Sequence, residues 1–219
     1  MSTIDATQEK YLSEQCILVD KEDNVVGSAS KRDCHWWDSI KNGECLHRAF
    51  SVFVFNEASE LLMQRRSAHK VTFPLLWTNS CCSHPLNNES ENCGLLGVKR
   101  AALRKLNHEL GVPAQAISLD TLHFLTRILY RAQANAHWGE HEIDYVLLVR
   151  QTVPLEINEN EVHETRYISR EEMARWLVDQ PSVFTPWYKL IAERWLPTWW
   201  DNLDNLASVQ DQTRIHSFE

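Results

Sequence analysis

The chain has 219 residues, of which 43% are hydrophobic and 24% are charged, and its formal net charge is −8. These values are typical of an ordinary soluble protein that forms one domain with a core large enough to need no cross-links. The negative charge argues against nucleic acid or a membrane surface as the main partner. It still allows an anionic ligand where basic residues gather locally.

The six cysteines could form a disulfide framework, but two features favour reduced thiols. Residues 1–15 are polar without an apolar signal-peptide core, and a chain of this length does not need the staples of small secreted domains. No apolar run approaches the roughly 18 residues of a membrane span. The final residues, 217–219, do not form a Ser-Lys-Leu-type peroxisomal signal. We therefore expect a cytoplasmic protein, with a monomer as the default.

In the first half of the chain, apolar runs around turn residues predict two β-hairpins. The predicted strands are residues 16–20 with 25–29, and residues 49–55 with 61–64. A basic loop with Lys31 and His35 is expected between the hairpins, and Arg66 and Lys70 follow the second one. A solvated strand end would explain these basic residues equally well from the sequence alone.

The second half predicts strands at residues 122–132 and 140–149, and helices at residues 95–110, 170–178 and 186–196. Gly111 is a good C-terminal residue for the first helix. Ser169 and Glu172 form a capping-box pattern for the second, and Thr185 is placed to cap the third. The segment from about residue 207 is expected to be a loose surface tail.

The most unusual stretch is residues 78–85, TNSCCSHP, which crowds two cysteines, a serine and a histidine into one predicted loop. Thiol and imidazole groups bind metals and move protons near neutral pH. Taken alone, the stretch fits either a fragment of a metal site or a chance cluster.

Three acidic residues share one face of the strand 140–149, because successive side chains point to opposite faces. They are Glu140, Glu142 and Asp144. Neighbouring carboxylates repel one another. A solvent-exposed strand face tolerates this repulsion, and a bound metal ion would make the arrangement favourable. The strand pattern leaves both interpretations open.

Residues 104–112 resemble the second half of the Nudix box, Arg-Glu-U-x-Glu-Glu-x-Gly-U with U aliphatic. The matching positions are Arg104, Leu106, Glu109, Gly111 and Val112. Lys105 and His108 replace two acidic residues of the box, and Leu96 replaces its leading glutamate. The glutamates of the Nudix family hold the Mg²⁺ ions of diphosphate hydrolysis. A chain without them is therefore not expected to be a typical hydrolase.

Residues 16–200 resemble the type I isopentenyl diphosphate isomerases, which are a branch of the Nudix family. The resemblance is to the eukaryotic form, and several further motifs carry it in the same order along the chain. The motifs are residues 31–35, 46–50, 64–70, 78–85, 138–142, 185–187 and 199–203. The resemblance implies an α/β (α+β) Nudix fold with a mixed β-sheet core flanked by helices. We expect a single domain, residues 1–219, with the core at about 46–200. The N-terminal extension would then contribute metal and diphosphate ligands.

The implied reaction converts isopentenyl diphosphate into dimethylallyl diphosphate in isoprenoid biosynthesis, by protonation and deprotonation through a tertiary carbocation. The family's two proton-transfer residues match Cys82 and Glu142. Trp187 matches the aromatic residue that faces the cation, and Tyr130 matches a tyrosine that hydrogen-bonds to the glutamate. The sequence does not decide whether Cys82 or Glu142 is the acid.

The resemblance also implies a metal centre with three imidazoles and two carboxylates: His35, His47, His84, Glu140 and Glu142. These ligand types suit Zn²⁺ or Mn²⁺, with Mg²⁺ as a further possibility. Glu109 would hold a second ion, Mg²⁺, that arrives with the diphosphate. Lys31, Arg66 and Lys70 would neutralise the diphosphate, with Ser83 as a hydrogen-bond donor. Arg104 and Lys105 could add positive charge.

Two other functions compete with this interpretation. One is a Nudix hydrolase acting on a nucleotide or prenyl diphosphate, which the residues in place of the box glutamates disfavour. The other is a non-enzymatic protein with a structural zinc site built from histidines and from Cys34, Cys45, Cys81 and Cys82. The absence of a Cys-x₂-Cys pair disfavours this alternative, and such a site does not need Trp187.

Overall fold

A mixed β-sheet runs through the centre of the computed structural model, which describes residues 4–219. The strands in the described residues are β1 (Gln15–Val19), β2 (Val25–Ser30), β3 (His47–Phe55), β4 (Leu61–Arg66), β5 (Trp77–Thr78), β6 (Cys81–Ser83), β7 (His123–Gln133), β8 (Gly139–Arg150), β9 (Val162–Ile168) and β10 (Ile215–Ser217). The helices are α1 (Ala6–Tyr11), α2 (Lys31–His35), α3 (Trp37–Lys41), α4 (Gly94–Leu110), α5 (Arg170–Asp179), α6 (Pro186–Arg194) and α7 (Leu196–Asp201). No helix in residues 4–219 is long and apolar enough to cross a membrane.

Strand β3 lies at the middle of the sheet and is buried along its whole length. It runs parallel to β8, and this register places His47 opposite Glu142. On the opposite edge β3 pairs antiparallel with β6, where Ser51 faces Cys82. The central strand therefore brings the unusual cysteine–histidine stretch and the acidic strand to one region of the sheet.

Each face of the sheet carries its own apolar core. On one face α4 packs through Leu106 and Leu110, and on the other α6 packs through Tyr188 and Ile191. Burial of such side chains stabilises the fold by about 25 cal/mol per Å² of apolar surface. Gly111 ends α4 in the left-handed region at φ 67°, where an added Cβ would lie 2.5 Å from a backbone oxygen of Glu156. This close approach explains why glycine occupies the position.

The structure confirms the predicted fold class, the first hairpin and the three long helices. The second hairpin is confirmed only at its turn, where Phe55 pairs with Leu61, because the rest of β4 pairs with β9 and β5. The capping box of Ser169 and Glu172 is present at the start of α5. Thr185 precedes α6, but its hydroxyl donates to Thr78 instead of capping the helix. This bond joins α6 to the segment that leads into β6.

Three other local predictions were wrong. The basic segment after the first hairpin is the helix α2, because Ser30 caps it by accepting a hydrogen bond from the Asp33 backbone. Residues 81–83 form the strand β6, which gains its backbone partners from β3. The C-terminal tail contains β10, which pairs parallel with β7, and Phe218 packs on Trp195. These short segments acquire regular structure from tertiary partners that lie far away in sequence.

Candidate active site and metal centre

Five buried side chains with metal-binding atoms converge at one end of the sheet. Their ligand atoms all lie within 4.8 Å of one another, and the residues are His35, His47, His84, Glu140 and Glu142. The three imidazole ring centroids are 4.8–4.9 Å apart. The structure therefore brings together all five residues for which the family resemblance implied one metal centre.

These five ligands lie on or beside several different helices and strands. His35 ends the short helix α2, His47 begins β3, and His84 directly follows β6. Strand β8 supplies Glu140 and Glu142 from one face, as strand alternation predicted. The third acidic residue of this strand, Asp144, accepts a hydrogen bond from Ser51 at 2.8 Å and lies outside the five-residue group.

The hydrogen bonds of the histidines fit a cation between the ligands. His35 Nδ1 lies 2.7 Å from the Lys31 carbonyl oxygen, and His47 Nδ1 lies 3.0 Å from that of Cys45. A carbonyl only accepts, so each Nδ1 donates a proton. In the neutral tautomer this leaves a lone pair on Nε2, aimed at the carboxylates. His35 Nε2 is 2.8 Å from Glu140 Oε2, and two acceptors at that distance require a cation or a proton between them.

The charges of the site also favour a cation. Burial alone would lower the pKa of His47, but its hydrogen bond to Glu142 and the charge of that carboxylate raise the pKa to about 9. Burial would raise the pKa of Glu142, but His47 lowers it to about 2. The pKa of His84 lies well below its usual value because of burial and the neighbouring His47 and His35. The ionised Glu142 and the neutral His84 are in the forms that bind metals, whereas the raised pKa of His47 means that a metal ion has to displace a proton from this ring.

A cavity opens beside the five ligands, and the four residues assigned to catalysis line it. The Tyr130 hydroxyl donates to Glu142 Oε2 at 2.5 Å. The Trp187 indole Nε1 donates to Asn79 Oδ1 at 3.2 Å, which fixes the orientation of the ring. Cys82, from the strand β6, completes this set. One small cavity therefore holds a thiol, a carboxylate, a phenol and an indole face.

Cys82 is half-buried and lies beside a fixed cation. Burial raises the pKa of its thiol to about 12, although the charge of Arg66 opposes the shift. The Arg66 Nη1 lies 3.6 Å from the Cys82 sulfur, and its Nη2 is anchored by the Thr72 carbonyl at 2.8 Å. The Arg66 guanidinium also lies over the Trp187 ring, 5.4 Å from its centroid. At neutral pH the thiol keeps its proton.

The wall of the same cavity carries three basic side chains, Lys31, Arg66 and Lys70. The hydroxyl of Ser83 lies on this wall as well. Burial and the nearby Lys70 and Lys105 lower the pKa of Lys31. This like-charge repulsion would be relieved by an anion in the cavity. The acidic protein therefore has the local basic patch that an anionic ligand needs.

Other residues of the predicted site lie behind the cavity wall. Glu109 is buried, its Oε2 accepts a hydrogen bond from Gln64 at 3.1 Å, and its Oε1 forms an ion pair with Lys105. The side chain of Arg104 binds Glu91, and Lys105 lies 3.3 Å from Glu109, so neither cation lines the cavity.

Sequence reasoning missed several residues of the cavity and its support. Gln8, Phe50, Ser51 and Thr72 line the cavity. Glu161 is buried behind Lys70 and lies 2.5 Å from its Nζ, while Gln8 donates to Glu161 at 2.9 Å. Phe50 lies in the motif 46–50 without having been assigned to the site, and each of the others is a single residue outside any spacing pattern, so only the fold identifies it.

The buried Glu161 gives a prediction about acid stability. Burial alone would raise its pKa, but Lys70 and Lys105 lower it well below the ordinary 4.5. A depressed folded-state pKa stabilises the fold above the unfolded-state value, and this contribution is lost as the pH falls through the folded value. We expect Glu161→Gln to be about 2 kcal/mol less stable at pH 7. Urea unfolding should show this gap shrinking as the pH falls below 4.5.

The matched control for this measurement is Glu164→Gln. Glu164 lies three residues further along the chain, on β9, but is exposed, and it pairs with Arg65 at 3.1 Å. An exposed pair contributes about 0–1 kcal/mol, so its loss should change stability little at either pH. A gap for Glu161→Gln that stays constant with pH would contradict the prediction.

Comparisons with known proteins agree with this architecture. The NUDIX domain family matches residues 46–188. The crystal structure of DR0079 from Deinococcus radiodurans has a TM-score of 0.56 at 18% identity, over 83% of this chain and 99% of that one. A NUDIX hydrolase structure from Alicyclobacillus acidocaldarius has a TM-score of 0.51 at 9% identity, over 68% of this chain and 90% of that one. The family match and the fold define a NUDIX-domain protein.

Similarity to individual proteins identifies the family within the NUDIX-domain proteins. The isopentenyl-diphosphate delta-isomerase of Gibberella zeae is 48% identical over 94% of this chain and 83% of its own length. Isopentenyl-diphosphate delta-isomerase 1 of Mus musculus is 47% identical over 98% of this chain and 96% of its own length. The Schizosaccharomyces pombe isopentenyl-diphosphate delta-isomerase is 46% identical over 97% of this chain and 94% of its own length. The chain belongs to the isopentenyl-diphosphate delta-isomerase family.

Proposed function

We propose that this protein isomerises isopentenyl diphosphate to dimethylallyl diphosphate in isoprenoid biosynthesis. One observation carries the proposal: Cys82, Glu142 and Trp187 line the same cavity as a cluster of basic residues. The first group suits a proton shift on an alkene, and the basic cluster suits a small diphosphate. The family membership agrees with both. We also infer that the N-terminal segment before residue 46 belongs to this single domain, since Lys31 and His35 lie on the cavity wall.

The reaction requires one group to protonate the terminal alkene carbon and another to remove a proton from C2. We assign these two transfers to the pair Cys82 and Glu142. The hydrogen bond from Tyr130 at 2.5 Å would hold the Glu142 carboxyl in place. Trp187 would present its ring to the tertiary carbocation, because a desolvated cation–π contact is worth about 2 kcal/mol. The buried cavity would also keep water away from the cation.

Basic residues would bind the diphosphate and thereby fix the alkene near the proton-transfer pair. Arg66 offers a planar guanidinium that is suited to phosphate oxygens, and Lys31 and Lys70 offer ammonium charges. Ser83 would add a hydroxyl donor. Glu161 would hold Lys70 in place from behind, at 2.5 Å. Binding energy from this non-reacting part of the substrate would then position the reacting carbons.

Two metal ions are proposed to assist the isomerisation. Zn²⁺, Mn²⁺ or Mg²⁺ in the centre of three histidines and two glutamates would supply positive charge beside Glu142, setting its acidity and position. Mg²⁺ would accompany the diphosphate and be held by Glu109, whose Oε1 now lies 3.3 Å from the Lys105 ammonium and would exchange that partner for the ion. Magnesium commonly binds through one or two carboxylates together with substrate phosphates.

A hydrolase is the less favoured alternative. Lys105 stands where the Nudix box has an acidic residue, and its ammonium lies 3.3 Å from Glu109. To separate the two functions, purified protein is incubated with isopentenyl diphosphate and Mg²⁺ while proton and phosphorus NMR spectra are recorded together. Dimethylallyl diphosphate without free phosphate is expected. Release of phosphate would replace the proposal with hydrolysis.

The role of Trp187 can be measured separately. We expect Trp187→Leu to lower kcat about 30-fold, which corresponds to the loss of about 2 kcal/mol of cation–π stabilisation. Trp187→Phe keeps an aromatic face and should lose less. Trp195→Leu is the control, because Trp195 packs on Trp199 outside the cavity and should keep its kcat. An effect of Trp187→Leu on KM alone would show that the ring only binds substrate.

A further inference from the structure

Residues 215–219 lie along the edge of the strand pair that carries the hydrogen bond from Tyr130 to Glu142. The strand β10 in this segment pairs parallel with β7, and the pairing ends at Leu129 of β7. The Phe218 backbone N–H then donates to the Leu129 carbonyl oxygen at 2.8 Å. Because Leu129 directly precedes Tyr130, the segment is hydrogen-bonded to the backbone next to a residue of the site.

The Glu219 carboxylate bridges two separate parts of the molecule. Its Oε1 lies 2.8 Å from His141 Nε2, and its Oε2 lies 2.6 Å from Lys21 Nζ. An ionised carboxylate only accepts hydrogen bonds, so both of these nitrogens donate. The side chain of His141 is 5% exposed, whereas that of Lys21 is 65% exposed. The bond to His141 is therefore the one that is shielded from solvent.

His141 connects this contact to the site, because it lies between the two glutamates of β8 that belong to the metal centre. Successive side chains of a strand point to opposite faces, so the His141 ring lies on the other face from Glu140 and Glu142. The Nδ1 of His141 has no hydrogen-bond partner among residues 4–219. Within that range the bond to Glu219 is thus the one that fixes the ring between the two glutamates.

The same segment holds both partners of the hydrogen bond that orients the Glu142 carboxyl. Tyr130 donates to Glu142 at 2.5 Å, and the two residues lie directly opposite each other on β7 and β8. Residues 215–219 fix the first strand through Leu129 and the second through His141. A misplacement of about 1 Å in a reacting group can lower a rate about 10²-fold. A fixed relation between these two strands therefore matters for the chemistry.

We propose that Glu219 is a positioning residue for the isomerisation, which holds β8 through His141 so that the Glu142 carboxyl stays aligned with the substrate. Glu219 does not line the cavity, so it takes no part in the proton transfers themselves. The effect on the reaction rests on the proposed function, whereas the effect on the backbone of β8 does not.

The first test is steady-state kinetics of Glu219→Ala and Glu219→Gln with isopentenyl diphosphate. We expect Glu219→Ala to lower kcat about 10-fold, because losing a group that orients site residues from behind costs about 10–100-fold in activity. KM should stay nearly unchanged, since the diphosphate is bound by other residues. Glu219→Gln keeps an oxygen that accepts from His141 and should keep most of the wild-type kcat. An unchanged kcat in Glu219→Ala, an effect on KM alone, or equal losses in both variants would overturn the proposal.

Control variants test whether the contact with His141 is responsible. Lys21→Ala removes the exposed partner of the same carboxylate, and Ser217→Ala shortens an exposed side chain of β10, so both should keep their kcat. His141→Ala should lose activity as Glu219→Ala does. Adding Glu219→Ala to His141→Ala should then cause no further loss, because the contact is already absent. Losses that multiply in the double variant would mean that the two residues act independently, against the proposal.

The second test follows the backbone without reference to activity. Amide hydrogen exchange is measured by mass spectrometry in the full-length wild type and in Glu219→Ala. We expect faster exchange in β7 and β8, and unchanged exchange in β9, which pairs with β4 instead. Unchanged exchange in β8, or an equal acceleration in β9, would refute a local positioning role. If the wild type does not isomerise isopentenyl diphosphate, the proposed function fails, and the exchange data still decide whether Glu219 holds β8.

Discussion

Replacing Cys82 by alanine is expected to lower kcat for isomerisation by about 10³–10⁴-fold, the upper part of the range for a proton-transfer residue. The thiol lines the cavity and keeps its proton at neutral pH, because burial raises its pKa to about 12. No other thiol of the described residues lines this cavity. The measurement is steady-state kinetics with isopentenyl diphosphate. KM should change little, because Cys82 is assigned to the reacting carbons and not to the diphosphate.

Two controls make this result specific. Cys93→Ala removes an exposed thiol that does not line the cavity and should keep full activity. The metal content of Cys82→Ala should equal that of the wild type, because Cys82 is not among the five clustered ligands. If the metal-loaded variant retained more than about a tenth of wild-type kcat, Cys82 would not be a proton-transfer residue.

Glu142, the second residue that we propose for proton transfer, is expected to behave differently. Glu142→Gln should also lower kcat by about 10³–10⁴-fold. It should in addition lower metal affinity, because Glu142 Oε1 lies 2.9 Å from His84 Nε2 inside the ligand group. The pair of variants therefore separates chemistry from metal binding. Loss of metal in both variants would mean that the thiol supports the centre instead of the reaction.

Strand periodicity is enough to identify the acidic face of the site. Alternation along β8 places Glu140 and Glu142 together, and this conclusion needs only the local sequence. The pairing of β3 with β8, which sets His47 opposite Glu142, is a contact across 95 residues that no local pattern specifies. It is predictable only through the resemblance of several motifs to one family.

Local sequence patterns did not predict the segments whose structure depends on tertiary contacts. The strand β9 alternates polar and charged residues, so its sequence carries little apolar signal, and it forms by pairing with β4. Glu161 lies just before that strand and becomes important only because the fold places Lys70 beside it. Charge pairs between distant segments of this kind have no signature in a single sequence.

Removing one carboxylate from the histidine centre should abolish the stabilisation of the protein by metal. Saturation of one site at about 100 times the Kd stabilises the folded state by about 2.7 kcal/mol, or about 5–10 °C in Tm for a domain of this size. Thermal unfolding of metal-free protein with and without Zn²⁺ should show this shift for the wild type. Glu140→Gln should show none, because Glu140 Oε2 then no longer offers an anionic ligand beside His35.

The control for the metal experiment is His123→Gln, which removes an exposed imidazole outside the cluster and should keep the full shift. Mn²⁺ is compared with Zn²⁺ in the same assay, since the ligand set suits both ions. A centre built from buried groups that face one another depends on all of its members, because each unpaired lone pair is costly once water is excluded. An equal shift in Glu140→Gln and wild type would therefore place the ion elsewhere and refute the assignment of these five residues to one metal centre.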